Sequence, residues 1–270
     1  MKNFISILAC VLLLSSCNQS KEGIVKDLIE AENNFQTEKM SRLLTDNFMC
    51  YGTDTLNKKD YLSRLESFKL IECQASILNI QDLDSIVKTD EQVSTIADKY
   101  LEISPLIVQK RTYRFDDKKV KSVTVDSILN YEEYAKSFNE KWTPFAFWIK
   151  DKYDINDDNE FLTNVGKNLN KYFSEYTNLP ASDKKLYKNY AHLQGTYVSK
   201  DCAFYKKLIF KGKRTVTIID AFFGFPFATS YELDEDLVKI KTDQSDLLFE
   251  IKDSQTLIGE GFAKGTFTKE

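Results

Sequence analysis

Histidine is nearly absent from this chain: His192 is the only one in 270 residues. That count excludes two-histidine metal sites and the HExxH zinc motif. It leaves room for one Ser-His-Asp or Cys-His system at most, and no GxSxG nucleophile signature accompanies it. The five cysteines include no CxxC pair, so zinc-ribbon and thioredoxin-type sites lack support. Basic excess is missing as well. Lys plus Arg is 37 against 41 Asp plus Glu, a formal net charge of -4, where a general nucleic-acid binder carries a strong positive excess. Glycine and proline are sparse, nine and four, which excludes collagen-like chains. No phosphate-cradling loop is present: Gly259-Glu260-Gly261 lacks the P-loop spacing and opens a strand instead of a helix. No cofactor is indicated. Hydrophobic residues, by contrast, make up 42 % and aromatics 13 %, too many for a disordered chain. The length suits one large domain or two ordinary ones.

The N-terminus carries the most specific pattern. Lys2 gives a positive start, Phe4 to Leu14 is an apolar run, and Leu14-Ser15-Ser16-Cys17 follows. The run has the length of a signal h-region and is short for a membrane-spanning helix. The order resembles the bacterial lipobox. That resemblance implies removal of residues 1–16, acylation of Cys17, and a body held on a membrane outside the cytoplasm, in the bacterial cell envelope. Residues 17–23 then read as a lipidated tether. No later stretch is long and apolar enough to span a bilayer. Cys50, Cys73 and Cys202 remain in the mature chain. A Cys50–Cys73 disulfide and three buried free thiols are both open.

Residues 24–154 read as an α+β domain. Ile24, Leu28, Ala31 and Phe35 recur at helical spacing, and a short helix is expected over 38–44. Phe48 to Tyr51 reads as a short strand, and Asn57 as the N-cap of a helix carrying Tyr61, Leu65 and Phe68. Four β-branched, alternating segments follow, Glu72–Val87, Gln92–Ile103, Leu106–Phe115 and Val120–Leu129, with a hairpin turn at Asp116-Asp117-Lys118-Lys119. Pro105 marks a strand end. This order of elements resembles the NTF2-like (SnoaL-like) family, which implies a curved antiparallel sheet wrapped on helices with a pocket at its wide end. An aromatic helix, 131–153, departs from that pattern by following the last strand, and Pro144 is expected to kink or divide it.

Residues 155–192 read as a helical bridge, with Phe161, Val165, Leu169 and Phe173 on one face. Residues 193–270 are expected to form short strands with tight polar breaks, an antiparallel meander closing into a barrel or folding into a sandwich. The framing Leu193-Gln194-Gly195-Thr196-Tyr197 and Gly265-Thr266-Phe267 resembles small lipocalin-like domains of bacterial envelope proteins.

Candidate chemistry is thin. His192 sits at a seam between expected domains and reads first as a packing residue. Asp157-Asp158 and Asp234-Glu235-Asp236 lack EF-hand spacing and read as a helix N-terminus and a hairpin turn. No metal site is expected. On the strand through Lys110–Phe115, Arg111 and Tyr113 share a face and either point into the proposed cone, as a binding pair for an anionic ligand, or belong to a solvated hairpin. Trp142 and Trp148 are candidate pocket-lining residues. Phe223, Phe225 and Phe227 are expected first to fill a barrel interior; exposed, they would make a partner or membrane contact. Three functional readings follow. The first is a non-enzymatic, membrane-anchored lipoprotein binding a small apolar ligand or an envelope protein. The second is a pocket enzyme of the NTF2-like kind acting on a hydrophobic substrate. The third is an inhibitor or immunity-type lipoprotein.

Overall fold

A computed structural model describes residues 20–155, 158–243 and 245–270. The residues expected to be a leader and lipobox, Cys17 included, lie outside the described residues. The chain divides into two compact units, with the boundary at Ala135 and Lys136. Among the described residues no helix is long and apolar enough to cross a membrane.

The first unit opens with α1 (Lys21–Asn33), α2 (Thr37–Leu43), β1 (Leu44–Tyr51) and β2 (Thr55–Asn57), then α3 (Lys58–Leu70). Helix α1 starts inside the stretch expected to be tether. Ser20 caps it by accepting from the Gly23 amide, so the polar residues Lys21 to Gly23 are its first turn. Asn57 caps α3 in the same way, accepting from the Asp60 amide. Strands β3 (Gln74–Leu83), β4 (Ile86–Ser94), β5 (Ile107–Asp116) and β6 (Lys119–Leu129) complete a six-stranded sheet of order β2-β1-β6-β5-β4-β3. The β1–β6 pair is parallel and the other pairs are antiparallel.

Two expected strands are corrected here. The segment expected as one strand over Glu72–Val87 breaks at Asp84-Ser85, where Asp84 adopts φ 58°, and the chain reverses into β4. The segment expected to run as strand to Ile103 stops at Ser94 and becomes α4 (Ile96–Tyr100), whose start is fixed by a reciprocal Thr95–Asp98 capping box. The apolar face of α1 packs with Phe48, Leu65, Val87, Tyr113 and Val123 in one core.

The second unit takes most of α5 (Tyr131–Lys152), followed by α6 (Asp158–Thr177), α7 (Ala181–Leu193) and eight strands. Pro144 lies inside α5, which continues through it as one helix. The strands are β7 (Gly195–Ser199), β8 (Tyr205–Lys211), β9 (Thr215–Asp220), β10 (Pro226–Asp234), β11 (Leu237–Ile240), β12 (Leu247–Asp253), β13 (Thr256–Gly259) and β14 (Gly265–Lys269). They close into a barrel in chain order, β14 pairing back onto β7. The expected meander is therefore a barrel, and closure removes its edges. Its interior is filled by Tyr197, Leu208, Phe210, Ile218, Tyr231, Phe249, Leu257 and Phe267 among others. Phe223, Phe225 and Phe227 are not in it. Cys50, Cys73 and Cys202 are free thiols, so the disulfide alternative is set aside.

Candidate functional site: a buried ion cluster and an exposed aromatic end

Among the described residues the first unit holds a dense polar cluster. On β4 the residues Val87, Thr89 and Glu91 alternate onto the buried face, as period-2 geometry requires. Register sets their partners on β5: Tyr113 opposite Val87, Arg111 opposite Thr89, and Gln109 opposite Glu91. Arg111 therefore lies diagonal to Glu91, and Nη1 stands 3.1 Å from Oε2 of that carboxylate. Helix α1 supplies Glu32 from the other side, its Oε2 3.6 Å from the same nitrogen. Nε and Nη2 of Arg111 donate to the Gln109 side-chain carbonyl at 2.9 and 2.7 Å. Tyr113 donates to Glu91 Oε1 at 2.7 Å, joined there by the Thr89 hydroxyl, and Tyr61 donates to Glu32 Oε1 at 3.3 Å. The Arg111 side chain is 12 % exposed and that of Glu91 is fully buried.

Burial in this cluster pushes the Glu32 carboxyl above its ordinary range; the Arg111 guanidinium opposes that rise and the Glu91 carboxylate adds to it. Tyr61 and Tyr113 are raised well above 10 by burial and by neighbouring carboxylates, so both remain protonated donors. Glu91 Oε2 makes its ion-pair contact without a hydrogen bond of acceptable geometry. The solvated-hairpin alternative for Arg111 does not hold, because its side chain is aimed into the unit. Glu32, Glu91 and Tyr61 did not stand out in the sequence. A glutamate on the apolar face of α1, between Leu28 and Phe35, was the available signal for one of them.

Trp142 and Trp148 belong to the second unit, whereas that cluster belongs to the first. Trp148 is buried and Phe145 stacks on Phe173 with centroids 4.4 Å apart. Trp142 meets Phe145 edge-on at 5.3 Å. These rings pack α5 on α6. His192 is part of α7, and burial lowers its pKa from 6.5. Its backbone carbonyl accepts from Tyr197 Oη at 2.9 Å and Lys269 Nζ at 2.7 Å. Among the described residues no group of His, Cys, Asp and Glu is arranged to hold a metal ion.

The other feature is one end of the barrel. In a closed up-and-down barrel alternate connections share an end, so the loops β7–β8, β9–β10, β11–β12 and β13–β14 lie together. Three of them carry exposed phenylalanines. Phe222, Phe223 and Phe225 are 69 %, 79 % and 69 % exposed, Phe262 is 64 % exposed, and Phe204 and Phe227 are also exposed. The Phe204 ring touches those of Phe222 and Phe262, with centroids 6.1 and 5.9 Å apart, so the loops form one patch. The expectation that Phe223, Phe225 and Phe227 fill the barrel is corrected: Phe223 and Phe225 belong to or adjoin the turn, not a buried strand face. Asp220 holds that turn. Its Oδ1 accepts from the Phe222 and Phe223 amides at 2.9 and 2.6 Å and its Oδ2 from the Phe225 amide at 2.7 Å, which lowers its pKa below 3.8. An open groove of about 610 Å³ beside the patch is lined by Phe204, Ile258, Phe262 and Lys264.

No protein-family model matches the sequence, and no curated protein matches it. Among solved structures the chain is similar to an NTF2-like protein from Cytophaga hutchinsonii, at 13 % identity over 40 % of this chain and 90 % of that one, with a TM-score of 0.34. It is similar to a putative polyketide cyclase from Sinorhizobium meliloti, at 12 % identity over 37 % and 91 %, TM-score 0.33. A third is an epoxide hydrolase of M. tuberculosis described as LEH-like, at 14 % identity over 45 % and 90 %, TM-score 0.37. At this level of agreement none transfers an activity or a ligand to the chain.

Proposed function

We propose that the protein is a membrane-anchored envelope lipoprotein whose body is a binding module, with the phenylalanine end of the barrel as its working surface. The observation that carries this is the exposure of Phe222, Phe223 and Phe225 on a turn pinned by three backbone hydrogen bonds to Asp220. A soluble domain gains nothing from displaying such rings to water, and clustered exposed apolar surface marks interaction sites. The lipobox pattern supplies the anchor: acyl chains on Cys17 hold the body at a membrane, each buried CH₂ adding about 0.8 kcal/mol. The partner class this reading admits is a small apolar ligand or an apolar surface. The anchor is tested in growing cells with a clickable fatty acid. The wild-type chain should take up label and sediment with membranes, and Cys17→Ser should lose both. Unchanged label and sedimentation in the variant would sink the reading.

The Glu32–Arg111–Glu91 cluster favours a second reading, a pocket enzyme acting on a hydrophobic substrate. A carboxyl of raised pKa beside a fixed guanidinium and two tyrosine donors is the material of acid–base chemistry. Its discriminating observation is direct. Titration with hydrophobic epoxides, esters and enones, followed by NMR at the Arg111 guanidinium, should move that resonance if substrate reaches the cluster.

A further inference from the structure

We infer that the outer face of the first unit's sheet, the face turned away from α1, binds an acidic saccharide. The inference goes beyond both readings above and depends on neither. Strand β5 shows where the charge lies. Its residues alternate between two faces, so the basic stretch from Lys110 to Arg114 is divided. Arg111 points inward and is neutralised by Glu32 and Glu91, which leaves it no charge for an outside anion. Lys110, Thr112 and Arg114 fall on the outer face. Register places Lys88 of β4 opposite Thr112 and diagonal to Lys110 and Arg114. Three cations thus surround one threonine. Lys110 stands 4.0 Å from Asp90. Lys88 and Arg114 are exposed, and among the described residues neither has an ion-pair or side-chain hydrogen-bond partner.

These side chains border an open cleft of about 640 Å³. Its three outer cations face two carboxylates, Asp90 and Asp126, a positive excess in a chain of net charge -4. An acid group matches that excess and gains charge-assisted hydrogen bonds from Lys88 and Arg114. The remaining lining selects a saccharide. Among the described residues no aromatic ring borders the cleft, so nothing there stacks a nucleobase. Asn79, Gln81 and Thr124 supply amides and a hydroxyl. Asp126 accepts from the Thr112 hydroxyl at 2.6 Å through one oxygen and keeps the other for an outside donor. Carboxylates set among the cations repel a bare anion. They suit a ligand that brings hydroxyl donors along with its acid group. Arg114 also lines a second cleft, of about 450 Å³, with Asn47 and Lys121, which gives room beyond a single sugar unit.

The test is isothermal titration of the full-length chain in a sugar-free, non-ionic detergent. Trigalacturonate and glucose 6-phosphate are the acidic probes, and whichever binds tighter names the acid group as carboxylate or phosphate. Maltotriose carries hydroxyls without charge, and triglutamate carries carboxylates without hydroxyls. At least one acidic sugar should bind about tenfold or more tightly than both controls. The exposed double variant Lys88→Ala/Arg114→Ala should weaken it by about tenfold or more, as loss of charge-assisted contacts implies. The double variant Lys59→Ala/Lys69→Ala, which removes two exposed charges from α3, should bind as wild type does. No binding of either acidic sugar at millimolar concentration overturns the inference. So does triglutamate or maltotriose binding as tightly as the acidic sugars, or an equal loss in the two double variants.

Discussion

Arg111 is the residue on which the first unit turns. Its single positive charge answers two carboxylates, Glu32 and Glu91, in a region nearly closed to water. One charge cannot satisfy both fully, and burial raises the carboxyl of Glu32, whose proton is held more tightly than in water. The sign of the resulting pH dependence follows. The folded-state pKa of Glu32 lies above its unfolded value near 4.5, so the stability linked to its protonated form is full below that value. It is lost as pH rises through the folded value. Glu32→Gln cannot ionise and should escape that loss. Urea midpoints taken from about pH 4 to pH 8 should show the variant gaining on wild type across the window above 4.5. Stability curves that run parallel through that window would remove Glu32 as the titrating group.

At the scale of elements, the barrel's phenylalanine end depends on close backbone approach. A Cβ on Gly259, at the end of β13, would stand 2.0 Å from the Ala263 carbonyl oxygen and 3.1 Å from the Phe249 ring. The 3₁₀ turn at Gly261–Ala263 that presents Phe262 is folded against it. Gly212 offers the contrast: a Cβ there meets nothing within 4 Å, and only its φ of +62° resists substitution. Gly212→Ala should therefore cost about 1–2 kcal/mol, the ordinary left-handed penalty. Gly259→Ala should cost more, beyond the roughly 1–3 kcal/mol of common overpacking, since the obstacle is backbone. Denaturation of the two variants side by side checks the order; equal costs would mean that the 3₁₀ turn yields freely. The elements that could be read from sequence are those with local signals. Asn57 caps α3 because its side chain meets a nearby amide, and the Asp116–Lys119 turn declares itself by composition. The β3–β4 reversal at Asp84-Ser85 has no glycine or proline, and alternation runs through it. Helix α4 is set by Thr95 and Asp98, a capping signal hidden inside a β-branched stretch. Glu91 was invisible for a different reason: on a strand it reads as a surface charge, and only the pairing of β4 with β5 turns it toward Arg111. The Phe222–Phe227 alternation misled because a turn, pinned by Asp220, imitates strand periodicity.

For the whole molecule, the division at Ala135 separates two kinds of stability. The first unit encloses an ion cluster whose parts are costly when unpaired. The second is held by aromatic packing between helices and a filled barrel. Both tryptophans, Trp142 and Trp148, belong to the second unit, so tryptophan fluorescence reports on it alone. Arg111→Leu strands Glu32 and Glu91 without their counter-charge, and removing one member of a buried ionic group typically costs about 3–5 kcal/mol. If each unit is its own cooperative block, that loss stays in the first. Far-ultraviolet circular dichroism of the variant should then show an early transition that wild type lacks. The tryptophan fluorescence midpoint should stay where it is in wild type, and the two probes should cease to coincide. A fluorescence midpoint that moves with the circular dichroism would show instead that the chain unfolds as one block, with the cluster supporting the barrel as well as its own sheet.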